Sequence, residues 1–148
     1  MDKRPSIFKI IIIDYAAFTA ALFPIVMWGI YLMLLAMQEI QITNLAYPAI
    51  AAGITFVSIL VLIWKIRQIS MLFEDGLEVP ATISNVFFFR DRGRVDYTFT
   101  YNGQKYITGN ALHKVKQTSE LRVGDSVTVL IDRNNPKRAC IRDLYLQN

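Results

Sequence analysis

A chain of 148 residues has room for one domain, or for a small domain with an appendage. Residues 1–64 carry three basic side chains (Lys3, Arg4, Lys9) and three acidic ones (Asp2, Asp14, Glu39). Residues 65–148 carry thirteen basic and nine acidic, so the whole net charge of +4 lies there. The hydrophobic excess is confined to the first part, and the composition describes two objects joined near residue 65. A lone cysteine, Cys140, excludes an intramolecular disulfide and leaves the redox compartment open.

The first part reads as membrane-embedded. Segment 15–37 runs 23 residues without a charge and segment 40–64 runs 25; a spanning helix needs about 20 apolar residues, so each can cross with some tilt. The first is too long for a cleaved signal peptide and is followed by a second span. The break "QEIQITN" closes a helical hairpin, with Asn44 as the expected cap and Pro48 tolerated in the first turn. Lys3, Arg4 and Lys9 precede the first span and Lys65 and Arg67 follow the second, while the connecting loop has no Lys or Arg. The positive-inside rule then predicts a two-pass protein of the inner (plasma) membrane with both termini cytoplasmic. Tyr15 and Trp64 are expected at the inner interface and Tyr47 at the outer one.

Within the spans little suggests chemistry. Asp14 opens the first helix at headgroup level, where the helix dipole favours an anion, and reads as an interfacial cap rather than a proton relay. Thr19, Thr55 and Ser58 can bond their own backbone carbonyls, and Pro24 frees the carbonyl of Ala20 and predicts a kink. Gly29 and Gly53 lie about 12 and 10 Å from the outer ends of their spans at 1.5 Å per residue. That shared depth predicts a close helix crossing there. Ala16 and Ala20, with Ala17 and Ala21, form small-xxx-small pairs that accommodate bulky residues of the second helix or meet another subunit.

The second part reads as a small β domain. "KIRQISMLFEDG" extends the second helix beyond the membrane, with Ile66, Ile69 and Leu72 or Phe73 at helical spacing and Gly76 as the stop. From Val79 the period becomes two. In "RVDYTFTYNGQKYIT", Val95, Tyr97, Phe99 and Tyr101 alternate with polar residues, and Asn102-Gly103 supplies a two-residue hairpin turn. The preceding strand, "VPATISNVFFF", shifts its inward phase near Ser84-Asn85, which predicts a bulge, and turns at Asp91-Arg92-Gly93. "SVTVLID" and "ACIRDL" bring the number of strands to about five. The expected whole is an α+β membrane protein: a two-helix transmembrane hairpin (1–76, with its juxtamembrane extension) followed by a cytoplasmic antiparallel β meander or partly closed barrel (77–148).

"GDSVTVLIDRNNP" places Asp125, Asp132 and Asn134 around a strand. Asp125 and Asp132 stand at opposite ends of it, roughly 20 Å apart at 3.3 Å per residue, too far to share a metal; they read as turn residues. The same stretch, with "YTFTYNGQKY" before it, resembles a family of small bacterial membrane proteins in which helices precede a β domain of unknown function. The residues that carry the likeness are Gly124-Asp125, Asp132, Asn135-Pro136 and Asn102-Gly103, over residues 79–142. The resemblance implies a fold and a membrane setting, and no catalytic residues.

His113 reads as an exposed loop histidine and Cys140 as a packed thiol. No catalytic triad, phosphate loop or metal-spaced pair is present, so neither a cofactor, a metal nor an enzymatic activity is expected. In "FFFRDRGR", Arg90, Arg92 and Arg94 crowd a hairpin tip beside Phe87, Phe88 and Phe89. They read either as core phenylalanines under a solvated tip or as a contact surface. In the second case Arg90, Arg92, Arg94, Phe87 and Phe89 are the candidates for touching a partner or lipid. The expected function is a membrane-anchored interaction module or accessory subunit that binds a protein partner or its own copies. The alternatives are anionic lipid, since residues 79–148 carry eleven basic and six acidic side chains, and nucleic acid, the least expected partner.

Overall fold

The computed structural model describes residues 4–37 and 45–146. In chain order it has α1 (Ile7–Ile13), α2 (Tyr15–Ala36), α3 (Ala46–Asp75), β1 (Leu77–Phe89), β2 (Arg92–Tyr101), β3 (Gln104–His113), α4 (Lys116–Ser119), β4 (Ser126–Ile131), β5 (Ala139–Ile141) and α5 (Arg142–Tyr145). The expected hairpin loop and its Asn44 cap lie outside the described residues. At 22 and 30 residues, α2 and α3 are both long and apolar enough to cross a membrane. α2 runs unbroken through Pro24.

Polar and aromatic contacts join the two long helices. Trp28 Nε1–H donates to Thr55 Oγ1 at 3.0 Å, and the Thr55 hydroxyl donates to the Ala51 carbonyl at 2.8 Å. Tyr31 stacks on Tyr47 with ring centroids 6.0 Å apart. These pairs run in opposite chain directions, so the helices are antiparallel. The expected crossing at Gly29 and Gly53 is not there: both are exposed, and a Cβ added at either would meet nothing within 4 Å. The bulky Trp28 and Tyr31 occupy the contact and turn the neighbouring glycine outward. Of the alanine face, Ala17 and Ala20 are buried while Ala16 is half-buried.

α3 stops at Gly76, as expected, but not through a left-handed conformation: φ is −70°. Glycine is needed for space, because a Cβ would come 2.1 Å from the Leu72 carbonyl oxygen. The chain turns back as β1, and the strands form one antiparallel sheet in the order β3-β2-β1-β4-β5. The register of β1 on β2 shifts between Ile83 and Asn85, the expected bulge. Its effect is to move the inward phase from Val79, Ala81 and Ile83 to Val86 and Phe88. Asn102 (φ 50°) and Gly103 (φ 76°) make the β2–β3 turn.

Two details differ from the sequence reading. The β1–β2 turn is Arg90-Asp91, with Arg90 at φ 55°. Gly93 instead lies in β2 opposite Phe88, whose ring would be 2.2 Å from a Cβ there. The segment "ACIRDL" remains a strand only to Ile141, after which Arg142 opens α5.

The sheet is nearly closed. Its outer strands, β3 and β5, are joined by side chains: Asn110 Nδ2–H donates to the Ala139 carbonyl at 2.9 Å, and Thr108 Oγ1–H donates to the Lys137 carbonyl at 3.0 Å. Inside, Val79, Ala81, Ile83, Val95, Tyr97, Phe99, Val129 and Ile131 form the core, and Tyr97 is wholly buried with its hydroxyl donating to Asn110 Oδ1 at 2.9 Å.

This core continues into the helices. Ile10 and Ile13 of α1, Ala17 of α2, and Ile69 and Leu72 of α3 belong to the same buried cluster. α1 was not foreseen, because Ile7–Ile13 has no sequence feature separating it from the span except Asp14. Asp14 is extended (φ −73°, ψ 119°) and ends one helix while capping the next. It also forms a β-bridge with Leu112, as Pro5 does with Leu146.

Candidate functional site

The elements converge where the spans enter the barrel. Asp14, only 6% exposed, accepts a hydrogen bond on Oδ1 from the Ala17 amide (2.9 Å) and an ion pair on Oδ2 from Lys65 Nζ (3.2 Å). The Lys65 ammonium also lies 5.5 Å from the centre of the Trp64 ring. The cap was legible in the sequence; the ion pair was missed, although a charge at the barrel-side end of each of two antiparallel apolar helices was its signal.

His113 sits beside this pair. Its ring stacks on Phe18 of α2 with centroids 4.0 Å apart and planes 12° from parallel. Nδ1 lies 3.2 Å from the Ile12 carbonyl oxygen. The expectation of an exposed loop histidine is corrected: His113 ends β3, half-buried, because that strand end abuts the start of α2. Its carbonyl accepts from the buried Thr118 hydroxyl at 2.8 Å, which ties α4 to the same place.

The register then locates the hairpin tip. Arg92 pairs with Phe89 on one side and His113 on the other, and the Lys114 amide donates to the Asp91 carbonyl at 2.8 Å. Phe88 faces inward against Gly93, but Phe87 and Phe89 are 63% and 55% exposed, so they are not core residues. β1 presents alternate residues to opposite faces, and after the bulge the odd positions point out. The three arginines are not equivalent. Arg94 is tied to Asp96 at 2.6 Å, with Asn85 on the second carboxylate oxygen at 3.3 Å. The Arg90 guanidinium lies 5.4 Å from the centre of the Phe89 ring. Arg90 and Arg92 are exposed.

The stretch from Gly124 to Pro136 is turn chemistry. Asp125 Oδ2 accepts from the Arg122 amide and Asp132 Oδ1 from the Asn134 amide, each at 2.8 Å. Asp132→Ala is expected to cost about 1 kcal/mol, the worth of a local hydrogen bond. Calcium or magnesium should leave the melting temperature of either form unchanged; a metal-dependent rise lost in the variant would make this a cation site.

Cys140 is buried, as its apolar neighbours suggest. Burial pushes its thiol from 9.0 to about 12, with the Asp14 charge adding to the rise. Tyr97 and Tyr145 are raised well above 10.0, again chiefly by burial. The folded chain thus keeps protons that the unfolded chain releases, so stability should fall as pH rises from about 9 to about 12. Denaturation midpoints across that range test this, and Cys140→Ala should flatten the early part of the decline. Thiol reagents at pH 8 should leave Cys140 unmodified until the chain unfolds.

Beside α3, an open groove of about 390 Å³ is lined by Trp64, Arg67, Met71, Asp75, Asp132 and Arg138, among others. Among the described residues no group of three or more His, Cys, Asp or Glu is placed to hold a metal ion.

No curated protein matches the chain, and no solved structure matches it. Residues 79–144, which make up most of the barrel behind the two long apolar helices, match the model of a domain of unknown function (DUF3592).

Proposed function

We propose that this protein is a non-enzymatic, membrane-anchored interaction module. Its two spans cross the inner (plasma) membrane with the N-terminal segment and the barrel on the cytoplasmic side, and the barrel receives a protein partner. One observation carries this reading: Ile10, Ile13, Ala17, Ile69 and Leu72 share the barrel's core, so the domain is fixed on the helix pair and not tethered loosely. A fixed domain offers a partner one orientation relative to the bilayer, which lowers the ordering cost of docking. The groove beside α3 suits such a partner, since Trp64 and Met71 supply apolar contact and Arg67, Arg138, Asp75 and Asp132 supply charge around it. Nucleic acid is disfavoured, because the exposed Phe87 and Phe89 that would stack bases lie at the end of the barrel nearest the spans.

Two measurements test this reading. In a Cys140→Ala background, Gln41→Cys should react with an impermeant thiol reagent in intact cells and Gln117→Cys should not; the reverse pattern would overturn the orientation. Mild-detergent purification should recover a chain in fixed ratio that Met71→Glu releases while the melting temperature is kept. A particle containing only this chain, in one copy, would refute the module reading.

A further inference from the structure

We infer that the β1–β2 hairpin tip is a second membrane contact: Phe87 and Phe89 enter the leaflet beside the inner ends of the spans, and Arg90 and Arg92 meet lipid phosphates there. This inference rests on the membrane-anchored reading and adds a contact that neither span supplies.

Length brings the tip back to the membrane. From Trp64 to Asp75, α3 climbs about 16 Å away from the inner interface at 1.5 Å per residue. β1 has 13 residues and returns in the opposite sense, covering about 40 Å at 3.3 Å per step. Even at the tilt of roughly 45° that barrel strands adopt, the return is longer than the climb. The contacts agree with this sum. Phe88 lies opposite Gly93 and Gly93 opposite Leu112, which bridges to Asp14, the residue immediately before α2. His113, opposite Arg92, stacks on Phe18, three residues into α2.

The chemistry at the tip suits that position. A soluble surface gains nothing from two phenylalanines more than half exposed on one strand face, whereas the headgroup boundary accepts aromatic rings. Arg90 reaches over the Phe89 ring, so its charge lies next to the ring's apolar face, an arrangement that lets a cation stay at phosphate level while the ring goes deeper. Arg94, paired with Asp96, is excluded from this role.

The test uses the full chain in vesicles of phosphatidylcholine with phosphatidylglycerol. An environment-sensitive fluorophore is placed on single cysteines in a Cys140→Ala background, at Phe89→Cys, Phe87→Cys, Leu22→Cys and Gln117→Cys. Labels at positions 87 and 89 should be quenched several-fold more by shallow lipid-borne nitroxide than by aqueous iodide, and Gln117 should show the reverse. Leu22, within α2, reports the anchoring itself. If Leu22 is quenched by lipid while 87 and 89 follow Gln117, the hairpin contact is wrong and the anchoring stands. If Leu22 is not quenched by lipid, the anchoring reading fails first. Shielding of 87 and 89 from both quenchers would mean that protein covers the tip, which also overturns the inference. Adding Arg90→Glu and Arg92→Glu should raise iodide access at position 89, more in anionic vesicles than in pure phosphatidylcholine. No change in either lipid would remove the arginines from the contact.

Discussion

Replacing Asp14 by alanine is expected to destabilise the chain by about 2–3 kcal/mol, about 1 for the lost cap and the rest for a charge pair whose carboxylate is buried and whose ammonium is only partly so. Two roles are lost together, since the carboxylate caps α2 through the Ala17 amide and holds Lys65. They can be separated. Asp14→Asn keeps an oxygen that can accept from Ala17 and removes only the charge, so it should retain the cap's share of about 1 kcal/mol. Lys65→Met should approach the cost of Asp14→Asn from the other side. The double variant should be less destabilised than the sum of the two, because no buried charge is then left alone. Chemical denaturation in mild detergent, followed by circular dichroism, measures all four. If Asp14→Asn is as stable as the wild type, the ion pair contributes nothing, and at this point the Leu112 bridge and the contacts of His113 with Ile12 and Phe18 fasten the long helices to the barrel.

Asn110→Ala should cost about 2–6 kcal/mol, because it orphans two groups at once and each buried unsatisfied group costs about 1–3 kcal/mol. Its amide closes the seam onto the Ala139 carbonyl, and its carbonyl oxygen receives the hydroxyl of the wholly buried Tyr97. Tyr97→Phe alone should be damaging, but much less so when added to Asn110→Ala, since the hydroxyl that lacked a partner is then gone. Amide hydrogen exchange should show protection lost first along β3 and β5, where only side chains join the strands. Uniform loss over all five strands would mean that the seam has no separate stability.

What was legible in the sequence follows from which physical rules are local. The alternation of Val95, Tyr97 and Phe99, the Asn102-Gly103 turn and the phase shift at Ser84-Asn85 each depend on a few consecutive residues, and each was read correctly. The depth of Gly29 and Gly53 could be counted along the spans, but the direction each faces could not, because it is set by whichever neighbour, here Trp28 or Tyr31, fills the contact. Asp132 was readable as a turn because its partner is two residues away. His113 and Asp14 were misread or half-read because their partners, Phe18 and Lys65, are distant in sequence and meet only once the barrel is set on the helices. The outward Phe87 and Phe89 were ambiguous for the same reason: a phenylalanine's preference for burial does not say whether protein or lipid provides it.

The shared core also dictates an order of events during synthesis. Ile10 and Ile13 are made before either span, yet the strands and α5 that enclose them are made last, and the Ser6 amide donates to a carbonyl at Tyr145. Contacts that close loops this long form slowly and reward the chain only at the end. On the membrane-anchored reading, α1 waits with only the end of α3 to pack on, and the cluster around its isoleucines is completed once residue 145 has been made. A chain cut short before β5 would therefore keep both long helices but leave Ile10 and Ile13 without the part of their cluster that Cys140, Ile141, Leu144 and Tyr145 supply, an apolar surface open to proteases.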